Sequence, residues 1–332
     1  MKWYRQPWLL GTVLLLLLVV LAGISLSVGT RHIGWPAIWK SLVAYDPTQI
    51  EELLIRTLRL PRLLLAIACG LSFAVAGCLM QGVTNNPMAS PSIMGINSGA
   101  ALGLAIAMIA LPDASLNVTI LFAFAGAALA TLIIMLLANR NGSKMSPVFL
   151  ALAGTAVSAV FLAITQALVV YFDVAQDLSY WTAGGIGGVR MAQVVLLWPW
   201  TAVGFLLALY LSKSITLLNF GEEMAIGLGG HMMRIRVLAG VAVLLLCGSA
   251  VAVAGPIGFV GLVTPHMARK LVGIDYRKLI PITALLGAVL VVAADLVART
   301  VAPPFEAPLG AVTAMIGVPF FLYLANRKGA RS

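Results

Sequence analysis

An all-α protein that threads a membrane many times is the fold class this sequence predicts, on three observations. Of its 332 residues, 61% are hydrophobic and only 10% charged, far below the roughly 25% charged of a soluble domain. Apolar stretches near 20 residues recur, the length a helix needs to cross about 30 Å of hydrocarbon. Most of these stretches lack the alternation of a membrane barrel strand, and in lipid only helices or closed barrels satisfy every backbone N–H and C=O. The chain reads as a single transmembrane domain over residues 1–332.

The first run, Trp8 to Val28, follows Lys2 and Arg5 as a secretory signal would. Its roughly 21 apolar residues exceed a signal's apolar core and no A-x-A site follows, so it is expected to stay as a first helix. Further spans are predicted at about 63–81, 93–111, 116–138, 148–171, 192–211, 237–254, 257–270, 281–299 and 308–325, about ten in all. The third is glycine-rich and the eighth short. Lysine and arginine placement tests the threading: with a cytosolic start, both termini are cytosolic and fourteen of the 21 cations fall on the cytosolic side. Most acids, including Asp46, Glu51, Glu52, Asp113, Asp173, Asp177 and Glu306, fall outside.

Function classes are narrowed by what the chain lacks. No G-x-x-x-x-G-K-[ST] phosphate loop occurs, so any energy from ATP has to come from another subunit. A nucleophile elbow and an H-E-x-x-H pair are likewise missing, so no catalytic residue is expected. Cys69, Cys78 and Cys247 lie inside apolar runs without CxxC spacing, which predicts small buried residues rather than a disulfide, metal site or cofactor. Asp295 is the one acid inside a predicted span. It is the candidate relay of a proton-coupled transporter, but Arg299 follows at i+4, where the two side chains meet.

Three stretches stand out. RTLRLPRLLLAIACG, Arg56 to Gly70, puts Arg56, Arg59 and Arg62 on the outer side, against the positive-inside bias. Pro61 suits a helix's first turn, which places Arg62 at the positive end of a macrodipole, where a cation is mildly unfavourable. Two readings stand: contact with lipid phosphates or with Glu51 and Glu52, and contact with an acidic partner outside, to which Arg299 would add. The second stretch, QGVTNNPMASPSIMGINSGA at 81–100, holds two prolines and no charge. It is either a tight turn or irregular backbone lining a watery path. The third, NFGEEMAIGLGGHMMRIR at 219–236, reads as a short helix outside the membrane. Asn219 is its expected N-cap, Glu222 stands at the N3 place, and Gly229 or Gly230 is its stop. Met224, Ile226 and Leu228 would leave it an apolar surface, for docking or for packing back on the bundle.

Taken together, LRLPR (58–62), NNPMASPSIMGINSGA (85–100), GEEMAIGLG (221–229), GPIGFVGLVTPHMAR (255–269), ADLVAR (294–299) and LGAVTAMIGVPFF (309–321) resemble the FecCD family. These are the permeases of type II ABC importers for ferric siderophores, haem and cobalamin. The resemblance implies a multi-pass subunit of the bacterial inner (cytoplasmic) membrane. It pairs with a second permease, identical or paralogous, above two cytosolic ATPases and beneath an extracytoplasmic solute-binding protein. A ferric siderophore is the implied cargo, with haem or cobalamin as alternatives; the lipid bilayer surrounds the chain and no nucleic acid is involved. By the same resemblance, Arg59, Arg62 and Arg299 engage glutamates of the binding protein. Glu222, Glu223, Met224, Gly227 and Gly229 belong to the coupling helix on the ATPase. Asn85, Asn86, Pro87 and Met88, joined by Ser146, form the cytosolic gate. Arg56 lies outside the shared motif.

Overall fold

A computed structural model describes residues 7–29, 32–140, 147–221, 227, 231–301 and 305–329. Among these residues the regular secondary structure is all helix, with no strand. The ten predicted runs all form helices: α1 Pro7–Ser27, α3 Ile50–Val83, α4 Ile96–Ala110, α5 Leu116–Arg140, α6 Pro147–Phe172, α8 Met191–Leu218, α9 Met232–Ala254, α10 Val260–Val272, α11 Tyr276–Thr300 and α12 Leu309–Gly329. Two short helices, α2 Trp35–Val43 and α7 Ala175–Thr182, lie between them. Seven of the ten are long and apolar enough to cross a bilayer; α4 and α12 have shorter apolar stretches, and α10 has only 13 residues.

The helix α3 is the shaft of the bundle. In its most apolar window 83% of residues are buried, against 22% in α1, so α3 is surrounded by protein and α1 faces outward. Small residues make this possible, because apolar side chains gain little by leaving lipid and helices associate by close backbone approach instead. A Cβ on Gly70 would stand 2.3 Å from the Gly287 carbonyl oxygen of α11, and one on Gly77 would stand 1.9 Å from that of Gly261 in α10. Cys69, Cys78 and Cys247 are buried and free, as their apolar settings predict.

The start of α3 departs from expectation. The predicted span opens near residue 63, but the helix runs back to Ile50 through a π-helical turn at Ile55–Arg59. Pro61 has no N–H to donate and its ring crowds the carbonyl four residues back. The widened turn, in which the Leu60 N–H bonds the Ile55 carbonyl, makes room without ending the helix. Arg62 therefore lies well inside a continuous helix, and the macrodipole argument for it does not apply.

The ends of α1, α3 and α11 set the layout. Arg299 reaches Ser25, so α1 and α11 run parallel, while Arg62 meets Asp295, so α3 runs against them. The bundle thus has an arginine end, and an opposite end where α3 and α8 finish and α11 begins. There the Asn85 amide donates to the Leu218 carbonyl at 3.3 Å and the Tyr276 N–H to Thr216 Oγ1 at 3.0 Å.

Candidate functional site

At the arginine end, four charged side chains interlock. Asp295 on α11 is 1% exposed and lies between two guanidiniums. Arg62 donates its Nε–H to Oδ1 at 2.9 Å, and Arg299 Nη2 stands 2.9 Å from Oδ2 as the i,i+4 ion pair that the spacing in ADLVAR predicts. Arg62 then grips Glu306 with one nitrogen, Nη1, 2.8 Å from both carboxylate oxygens. Glu306 is placed by the backbone: the Ala307 N–H donates to the Ala298 carbonyl at 2.9 Å, pinning the chain after α11 to the end of that helix. The Glu306 side chain is 47% exposed, so the network opens outward through this pair.

The other arginines are tied to the chain more than to acids. Arg59 donates from Nη1 to the Leu26 and Ser27 carbonyls at 2.6 and 2.8 Å, capping the last turn of α1. Arg299 also donates to Ser25 Oγ at 2.6 Å. Arg56 donates to the Ser41 carbonyl at 2.7 Å and lies over the Tyr45 ring at 4.9 Å, which assigns it to holding α2. Glu52 instead accepts from the Asp46 N–H at 2.7 Å. For a proton relay, a neutral Asp295 would give up both ion pairs at once.

At the opposite end α3 runs into the uncharged stretch, which is irregular backbone from Thr84 to Gly95 with one 3-10 turn, Pro91–Met94. Asn85 adopts a left-handed φ of +48°, a conformation Asn tolerates better than most residues. Asn86 Oδ1 accepts the Met88 N–H at 2.9 Å, closing an Asx turn around Pro87. Gly154 on α6 lies so close beneath the loop that a Cβ there would meet the Ile93 carbonyl oxygen at 1.8 Å. Met88 is exposed at the tip. Of the predicted gate residues, Ser146 falls outside the described residues.

Beside this loop α9 and α10 form a broken pair. Gly255 turns the chain at φ +70°, and a Cβ there would stand 2.3 Å from the Trp181 carbonyl oxygen; Phe259, at φ +64°, opens α10. A cavity of about 280 Å³ lies between loop and break, bordered by Phe73, Ser90, Ser92, Asn97 and Phe259. Gln81 ties the two together: its amide donates to the Gly261 carbonyl at 3.2 Å and its oxygen accepts from Arg269. Sequence reasoning gave Gln81, Asn97 and Arg269 no such role. The available signals were a glutamine closing an apolar run and the Gly-Pro step at 255–256.

The expected docking helix is only partly in view. Asn219 closes α8, its amide donating back to the Ile215 carbonyl at 2.8 Å; the first turn that it is expected to cap lies outside the described residues. Glu222, Glu223, Met224 and Gly229 lie outside the described residues. Gly227 is helical and exposed, and no described residue lies within 4 Å of a Cβ placed there.

Comparison with known proteins matches residues 15–327 to the FecCD transport family. The chain is 47% identical over 307 residues to the Fe(3+)-citrate import system permease protein YfmD of Bacillus subtilis, covering 92% of this chain and 91% of that one. It is 45% identical over 314 residues to the iron(3+)-hydroxamate import system permease protein FhuB of the same organism, covering 95% and 82%. A solved metal-chelate type ABC transporter in an inward-facing conformation superposes with a TM-score of 0.85 at 30% identity, over 96% of this chain and 98% of that one.

Proposed function

Because the chain belongs to the FecCD transport family, matched from residue 15 to residue 327, we propose that it is a permease subunit of an ATP-driven importer, moving a ferric siderophore handed over by a solute-binding protein. The observation that carries this reading is the whole-length likeness to two permeases named for ferric citrate and ferric hydroxamate. The chain works beside a second permease, and ATP hydrolysis belongs to separate cytosolic ATPase subunits. Both termini are cytosolic, which puts the arginine end outside and the uncharged loop inside.

On this reading the outer arginines receive carboxylates of the binding protein. Arg62 is the reachable one, since it holds the half-exposed Glu306; a docking glutamate exchanges with Glu306 while Asp295 stays in place. Arg59 and Arg299 act with it as a positive rim fixed to the end of α1. Below, Asn85, Asn86, Pro87 and Met88, with Ser146, form a gate free of charge, so a chelate selected by another protein meets no ion that would hold it. Glu222, Glu223, Met224, Gly227 and Gly229 couple to the ATPase. The exposure of Gly227 favours an approach from another subunit.

Growth of a strain lacking this chain, under iron limitation and with single chelates supplied, tests the cargo. Loss of growth on one ferric siderophore, restored by the chain, is expected. Unimpaired growth on every siderophore with failure on haem or cobalamin would reassign it.

A further inference from the structure

At the end of the bundle opposite the arginines, the first turns of α1 and α11 line a cleft of about 430 Å³. Its walls are apolar, with Trp8 and Leu15 from α1 and Ile282 and Leu285 from α11, and its rim carries Arg277 and Lys278. Trp8 is 87% exposed and Leu15 52% exposed, and α1 is the least enclosed helix bordering the cleft, so the cleft opens toward lipid. We propose that this cleft binds an anionic phospholipid, its phosphodiester held by Arg277 and Lys278 and an acyl chain lying along Leu15 and Leu285.

The charge supports this occupant. Arg277 and Lys278 sit in the first turn of α11, where cations oppose the helix macrodipole. Arg277 is offset by Asp275, whose two oxygens accept from its guanidinium at 3.0 Å each. Lys278 makes no ion pair among the described residues, and the sequence adds Lys2 and Arg5 just before Pro7. A cationic rim above an apolar groove, beside an interfacial tryptophan, matches a headgroup and tail together. A free phosphate would leave the groove unfilled, and a protein segment gains nothing from the surplus of cations unless it is acidic. The proposal requires only that the chain spans a membrane, so it stands apart from the reading of cargo and partners.

The test is lipid retention by the full chain in its native assembly, delipidated in detergent and titrated with phosphatidylglycerol or phosphatidylcholine under native mass spectrometry. Phosphatidylglycerol should be retained preferentially, and the double variant R277Q/K278Q should lower its retention on the order of tenfold while leaving phosphatidylcholine unchanged. D275N, which keeps an N-cap acceptor but releases Arg277, should raise it. Equal retention of both lipids, no change in the double variant, or displacement by inorganic phosphate would overturn the proposal. A photoreactive side chain at Leu15 should label lipid; labelling of another protein subunit instead would also overturn it.

Discussion

At its start α3 carries three arginines, and Arg62 is met by acids 233 and 244 positions away, Asp295 and Glu306. At its finish the same helix enters twenty residues, 81–100, without one charge, held mainly by local bonds such as the Asn86 to Met88 turn. The two ends differ in what it costs to disturb them. A buried ion network is expensive to break because each partner left behind is an unpaired charge in a poor solvent. Apart from the Gln81 bond from Arg269, the second end is held by neutral hydrogen bonds, each of which gives up about 1 kcal/mol when it opens. The first end is built to stay in place, and the second can rearrange in small steps, as the proposed gating role requires.

The largest effect should follow from breaking the fixed end. In D295A, Arg62 and Arg299 lose their shared counter-ion, and by analogy with other half-removed buried pairs the loss is about 3–5 kcal/mol. Yield of folded protein and the thermal midpoint in detergent should both fall sharply. An unchanged midpoint would mean that the network does not hold α3 to α11.

The neutral end should respond oppositely. N86D keeps an oxygen to accept the Met88 N–H, so stability should stay within about 0.5 kcal/mol of wild type. Uptake should drop on the order of tenfold, since an ion would stand at the proposed gate, which now holds none. Transport assays on membranes with matched protein levels check this; wild-type uptake would reduce the stretch to a turn.

A smaller effect is expected from E306Q. The carboxylate is about half exposed and its pairing with Arg62 is worth no more than about 1 kcal/mol, as for other exposed pairs. Stability should barely move, while association with the binding protein should speed up because the competing carboxylate is gone. Slower association would show that Glu306 is itself part of the docking surface.

The contrast between the ends was half legible in the sequence. Apolar runs mark all ten helices, because a span's composition is dictated by the lipid or the protein around it. The i,i+4 spacing in ADLVAR is enough to pair Asp295 with Arg299, a contact observed at 2.9 Å. The lack of charge in residues 81–100 marks the loop as unusual. What could not be read is whatever depends on distant partners. Nothing local announces that Arg62 will meet Glu306, or that Gln81 will bridge α3 to α10. The helix start at Ile50 was hidden because Pro61 reads as a beginning, whereas a π-helical turn lets the helix continue through it. Asn219 has a role that its sequence pattern hid: a capping residue followed by Glu222 looks like an N-terminus, and its amide also serves the end of the helix before it.

The claim that the fixed end receives an acidic partner is tested most directly by the association rate of the binding protein as a function of salt, for wild type and R62Q. Charge reversal is unsuitable, since a glutamate at this position would face both Asp295 and Glu306; glutamine leaves Asp295 its ion pair with Arg299. If Arg62 guides docking, R62Q should associate several-fold more slowly at low ionic strength, and the gap should close as salt shortens the Debye length below about 10 Å. Equal rates at every salt concentration, with R62Q folded and inserted, would contradict the account.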